Sequence, residues 1–158
     1  MGVEDKTSDI LESGISMREN FEDCPPRADS MIHSLRAFGY DLGMAIADII
    51  DNSIYASAKN IWIDYAWNDG KPWIRITDDG MGMSEDQLVE AMRLGSQSPL
   101  TEREKRDLGR FGLGLKTASF SQCKFLTVFT VNNDGRQATR FWDLDHITAQ
   151  KQWQLGKI

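Results

Sequence analysis

The stretch AIADIIDNSIYASAKNIWIDYAW, residues 45–67, changes its hydrophobic period part-way along. Leu42, Ile46, Ile49, Ile50 and Ile54 recur at helical spacing. From Ile61 onward, Ile61, Ile63 and Tyr65 alternate with Trp62, Asp64 and Ala66, the period of a strand. A helix over about Asp41 to Ala56, with Asp41 as its N-cap, therefore leads into a strand. Asn68-Asp69-Gly70 is a hairpin turn signal, and a second strand runs from Pro72 to Thr77.

Outward from this unit the same reasoning assigns the rest. Before it, a helix is expected around Ser30 to Phe38, broken near Gly39. After it, Asp78-Asp79-Gly80-Met81-Gly82-Met83 reads as a glycine-containing loop, and Ser84 with Gln87 forms a capping box for a helix to about Leu94. Residues 95–110 are loop-like and charged. Gly109-Arg110-Phe111-Gly112-Leu113-Gly114 opens a short helix to about Phe120. Strands are expected at 123–131 and 136–143, joined by Asn132-Asn133-Asp134-Gly135, with a last strand at 152–157. This order predicts an α+β two-layer sandwich, with helices on one face of a mixed sheet. Residues 1–28, acidic and ending near Cys24-Pro25-Pro26, read as an N-terminal arm, and 29–158 as one domain.

Composition narrows the function classes. The chain has 158 residues, 41% apolar and 27% charged, the proportions of an ordinary globular domain. No apolar run approaches the ~20 residues that span a bilayer, and the N-terminus lacks the layout of a signal peptide. It begins Met-Gly, but Lys6 stands where myristoylation needs a small hydroxyl residue. Cys24 and Cys123 are too few for a disulfide framework, so a cytoplasmic location is expected. A net charge of −6 argues against this domain being the main clamp on a nucleic acid.

Three clusters carry chemistry. Asp48 and Asn52 lie four residues apart and share a helix face. An amide oxygen can ligate Mg²⁺ and a carboxylate can orient a water, although a plain polar face has the same pattern. Asp78 at a strand's end can accept from an exocyclic amino group, with Gly80 and Gly82 allowing close backbone approach to a flat ligand; a simple turn is the alternative. Gly109, Gly112 and Gly114 open a helix whose free N–H groups and dipole suit phosphate, with Lys116 adding positive charge; a flexible glycine loop is the alternative.

Together, DIIDNS, DDGMGM and GRFGLGLK resemble, in order, the N-box, the adenine-binding motif and the glycine-rich lid motif of the GHKL ATPases (gyrase, the ninety-kilodalton heat-shock chaperone, histidine kinases, MutL). The resemblance covers roughly residues 40–130 and looks closest to MORC-like and related bacterial proteins. It implies ATP and Mg²⁺ as cofactors. Asn52 matches the Mg²⁺-binding asparagine, Asp78 the adenine-recognising aspartate, Gly80 and Gly82 the purine-pocket glycines, and Met83 a residue beside the base. Gly95 matches the start of an ATP lid over 95–111. Gly109, Gly112 and Gly114 match the phosphate-cradling glycines, with the N–H groups of Phe111 to Leu113 facing the phosphates. The expected function is Mg-dependent ATP binding and hydrolysis, with lid closure coupled to homodimerisation through the N-terminal arm.

The match has departures. Asp48 stands where the family has a catalytic glutamate and is shorter by one carbon–carbon bond, roughly 1.5 Å. A non-hydrolysing regulatory ATP-binding module is therefore the alternative function. Tyr55 replaces a frequent acidic residue. The family's later strand with a pocket threonine, and a downstream domain with a phosphate-sensing lysine, are not identifiable before Ile158. The domain is thus expected to be truncated at its C-terminal end and to work with downstream domains of its own chain. His33 faintly resembles a kinase phosphoacceptor but stands too close to Asn52 for a helical hairpin, and His146 reads as structural. The five tryptophans (62, 67, 73, 142 and 153) read as sheet packing, and the run Glu102 to Asp107 as a solvated loop.

Overall fold

The structure, a computed structural model, describes residues 23–37, 39–95 and 114–158. Helix α1 covers Ala28–Arg36 and α2 covers Leu42–Tyr55. Strands β1 (Ile61–Ala66) and β2 (Trp73–Asp78) follow, then α3 (Glu85–Met92) and α4 (Gly114–Gln122). Strands β3 (Phe125–Val131) and β4 (Gln137–Asp143), helix α5 (Leu144–Gln150) and the short β5 (Gly156–Lys157) complete the order.

Local signals account for most boundaries. The Asp41 carboxylate accepts from Met44 N at 2.9 Å and starts α2. Ser84 and Gln87 form the reciprocal capping box at the head of α3. The β1–β2 turn places Asn68 and Asp69 at φ 46° and 52°, the left-handed conformation that a tight hairpin requires. At the β3–β4 turn, Asn132 Oδ1 accepts from the backbone N–H groups of Asp134 and Arg136.

The α+β architecture holds, with one correction to the expected sheet. Among the described residues the strands form two separate sheets, β1–β2 and β3–β4–β5, and every pairing is antiparallel. Each sheet is built on a hairpin closed by its own turn, and hairpins give antiparallel ladders; none of the pairs requires a crossover. The expected terminal strand is also shorter, reduced to Gly156–Lys157. Gly156 lies directly on the Phe141 ring, where a side chain would collide. Helix α5 has no counterpart in the periodicity reading, because seven residues supply only one apolar turn. Asp143 starts it by accepting from His146 N at 3.0 Å.

The core lies between α1, α3, α4, β4 and α5. Ala28, Ile32 and Leu35 meet Leu88 and Met92, Phe120, Trp142, Leu144 and Ile147. Trp142 is central: its ring packs edge-on to both Phe120 and Trp153, and its indole N–H donates to Met92 O at 3.1 Å, closing the end of α3. Arg36 closes the end of α4 by donating to Phe120 O at 2.6 Å and Cys123 O at 2.8 Å.

The β1–β2 hairpin stands outside this core. One face carries Ile61, Ile63 and Tyr65 beside Ile74 and Ile76, and Ile63, Tyr65 and Ile74 are exposed. The other carries the Asp64–Arg75 ion pair at 2.8 Å, with Arg75 over the Trp73 ring. Phe120→Ala should therefore cost about 3–5 kcal/mol in urea unfolding, because Phe120 is 0% exposed. Tyr65→Ala, at a residue 78% exposed, should stay within about 0.5 kcal/mol of the unsubstituted chain.

Glu85 receives both Arg140, at 2.6 Å, and Lys157, at 2.8 Å. The Lys157 hydrogen bond first and the Arg140 one second lower its carboxyl from 4.5 to about 2. The folded value lies below the unfolded one, so this contribution is complete above about pH 4.5 and is lost as pH falls towards 2. Glu85→Gln should flatten the fall in melting temperature across that window, measured by circular dichroism.

Candidate functional site

Helix α2 is the element on which Asp48, Asn52, the Asp78 loop and the described start of α4 meet. At its N-terminal half, Asp48 faces α4: a methyl group added at Gly114 would lie 4.0 Å from Asp48 Oδ2. One turn further, Asn52 Nδ2 donates to Asp48 O at 2.8 Å. That bond engages the amide nitrogen of an exposed side chain, not its oxygen. At the C-terminal end, Ser53 donates to Asp78 Oδ2 at 3.0 Å, and Ala56 O accepts from Met81 N at 3.0 Å. Asp48 and Ala56 are eight residues apart, so the helix sets these ends roughly 12 Å apart along its axis.

Adjacent carboxylates in the β2 loop have different partners. Asp79 Oδ1 accepts from Lys59 N and Asn60 N at 2.7 and 2.9 Å, and its Oδ2 accepts from Asn60 Nδ2 at 2.8 Å. These bonds, led by the one from Asn60 N, hold its carboxyl below the usual range, and they tie the loop to the start of β1. Asp78 accepts one bond on each oxygen, from Ser53 Oγ and from Gly80 N at 2.9 Å. A carboxylate has about four acceptor positions, so Asp78 is oriented and still able to accept from a ligand.

Gly80 and Gly82 are required by the protein's own packing. A methyl at Gly80 would lie 2.7 Å from Ala56 Cβ and 2.9 Å from Ala56 O. Gly82 has φ +63°, and a methyl there would run into Val131 O at the end of β3. The loop thus passes between α2 and β3. Met83, half-buried against the core, donates its N–H to Thr130 Oγ1 at 2.8 Å. Gly95 has φ +70° with open space around it.

Lys116 is 2% exposed, and its ammonium donates to Ala91 O at 2.8 Å in the last turn of α3. Burial lowers its pKa to about 8. Gly109, Phe111, Gly112 and Leu113 lie outside the described residues.

Three further residues belong to this arrangement: Ser53, the last residue of the DIIDNS motif, and Thr130 and Tyr40, which stand outside the three motifs. Ser53 and Thr130 are buried hydroxyls, 3% and 6% exposed, that anchor the two sides of the loop. Tyr40, in the α1–α2 connection, donates from its hydroxyl to Asp48 Oδ2 at 2.8 Å. That bond, then partial burial, raises the Tyr40 phenol above 10.0 and keeps it a donor. Ser53 follows Asn52 directly in the sequence, a usable signal, whereas Tyr40 and Thr130 become relevant only through folding.

A family profile described as histidine kinase-, DNA gyrase B- and HSP90-like ATPase matches residues 40–158. The chain belongs to this ATPase family. The ATPase morc-1 of Caenorhabditis elegans is 29% identical over 86 residues, 54% of this chain and 10% of that protein. MORC family CW-type zinc finger protein 3 of Mus musculus is 33% identical over 92 residues, 57% of this chain and 10% of that protein. DNA mismatch repair protein MutL of Thermosipho melanesiensis is 31% identical over 97 residues, 60% of this chain and 17% of that protein. The aligned part is thus a small share of each relative, and the family resembled by the three motifs is the family found.

The two loop glycines should separate by context. Gly95→Ala should cost about 1–2 kcal/mol, the left-handed backbone alone. Gly82→Ala should cost more, because displacement of Val131 is added to the same backbone term. Urea unfolding of the two variants side by side checks the order.

Proposed function

We propose that the chain is the ATP-binding domain of a larger ATPase. The observation that carries this reading is the convergence of Asp48, Asn52 and the Asp78 loop on one helix, with the start of α4 beside Asp48. Asp78, steadied by Ser53 and Gly80, accepts the exocyclic amino group of adenine. Gly80 and Gly82 give the loop its path, and Met83 packs beside the base. At the other end of α2, backbone N–H groups from Gly109, Phe111, Gly112, Leu113 and Gly114 receive the phosphates at the start of α4. Lys116, whose ammonium closes α3, supports that start from behind.

The amide oxygen of Asn52, whose nitrogen is the atom bonded to Asp48 O, suits Mg²⁺, a hard cation that prefers oxygen ligands and usually takes only one or two from protein. Mg²⁺ would supply charge neutralisation at the phosphates. Asp48 orients and polarises the attacking water. The segment from Gly95 to Phe111 closes over the nucleotide, and residues 1–28 contribute to an ATP-dependent homodimer, with the downstream domains of the full protein using the cycle. The shorter reach of Asp48 favours one second reading, a module in which ATP occupancy rather than turnover carries the signal.

Calorimetry with ATP and Mg²⁺ tests the binding reading. The chain should bind, and Asp78→Asn should weaken binding by roughly 10- to 100-fold, the loss of one hydrogen bond to a charged acceptor. Equal affinity in the two proteins would remove adenine recognition from Asp78.

A further inference from the structure

The hydrogen bond between the α1–α2 connection and α2 is unused in the scheme above. We infer that Tyr40 is a positioning residue for Asp48, fixing the carboxylate that orients the attacking water. This rests on the reading of Asp48 as the residue that polarises water. The Tyr40 hydroxyl donates to Asp48 Oδ2 at 2.8 Å. Oδ2 is also the oxygen nearest Gly114, so the same atom is held beside the start of α4.

The tyrosine is itself anchored. Gly39 takes φ +66° in the connection, Tyr40 O accepts from Gln122 Nε2 of α4 at 2.7 Å, and Asp41 begins α2 immediately after. The backbone of Tyr40 is thus held between α4 and the start of α2, and its hydroxyl reaches Asp48, the seventh residue of α2. An aspartate has a short stem and few rotamers, so one strong donor on Oδ2 settles which way the other oxygen points. Misplacement of a reacting group by about 1 Å can cost ~100-fold in rate. A fixed donor therefore matters most where the carboxylate's reach is already short. The hydrogen bond uses one lone pair of one oxygen and leaves Oδ1 able to accept from water.

The test is Tyr40→Phe, which keeps the ring and removes the donor. Steady-state ATP hydrolysis and calorimetric ATP-Mg²⁺ binding are measured for the unsubstituted protein, Tyr40→Phe, Asp48→Asn and the double variant. The expected result is a fall in kcat of about tenfold for Tyr40→Phe with ATP affinity within about twofold, the size of effect a displaced group produces. In the Asp48→Asn background the same change should produce no further fall, since the two residues act as one unit. Gln122→Leu, which releases the backbone of Tyr40, should lower kcat in the same direction by less. An unchanged or raised kcat, a loss traced to ATP affinity, or an equal fall in the Asp48→Asn background would overturn the role of Tyr40 alone. ATP bound but not turned over by the unsubstituted protein would defeat the hydrolysis reading and this role with it. Absence of binding would defeat the nucleotide reading beneath both.

Discussion

Ser53 donates from a buried position on α2 to Asp78 at the end of β2, and much of the site depends on that one hydrogen bond. A hydroxyl 3% exposed needs a partner, and a charged acceptor makes the bond worth about 1.5–3 kcal/mol. The β1–β2 hairpin stands outside the core, so this bond and the one from Met81 N to Ala56 O hold the end of β2 against α2. The bond also decides what Asp78 can do, since a carboxylate steadied from the protein side offers its remaining lone pairs in a set direction. Loss of Ser53 would uncouple the Asp78 loop from α2.

Asp78 and Asp79 show why partners rather than residue types assign roles. Both are exposed aspartates, Asp78 the last residue of β2 and Asp79 the first beyond it. Asp79 accepts three bonds from the segment leading into β1, while Asp78 accepts two and faces the α2 side. The two glycines that follow bear on the same distinction. Each occupies a space bounded by backbone from α2 or β3, so the loop's path is set by close main-chain approach.

Elements defined by local chemistry were legible in advance. The helical spacing of Ile46, Ile49 and Ile50, the capping box at Ser84 and Gln87, and the turns at Asn68-Asp69-Gly70 and Asn132–Gly135 all rest on neighbouring residues. Features that depend on distant residues were not legible. The division into two antiparallel sheets depends on which strands meet, and α5 is set by an Asp143 cap and burial of Ile147 rather than by periodicity. For the candidate site, Asp48, Asn52 and Asp78 could be named from motif order, since only the hairpin strand β1 separates α2 from β2 in sequence. Thr130 and Tyr40 could not, because one approaches the loop across 47 residues and the other lies outside every motif. The location of Lys116 beneath α3, and not simply beside a phosphate loop, is likewise a product of tertiary packing.

The exposed hairpin has a colloidal consequence. Among the described residues neither outer edge of β1–β2 is paired, and one face presents Ile63, Tyr65 and Ile74 to water. Unpaired edges beside exposed apolar side chains are where proteins associate edge to edge. Asp64 and Arg75 guard the opposite face with charge. The counterweight for the chain as a whole is its net charge of −6, whose long-range repulsion shrinks as salt shortens the screening length to about 10 Å at 0.1 M. Self-association through the hairpin is therefore expected to rise with ionic strength, as screening weakens the repulsion between copies of the chain.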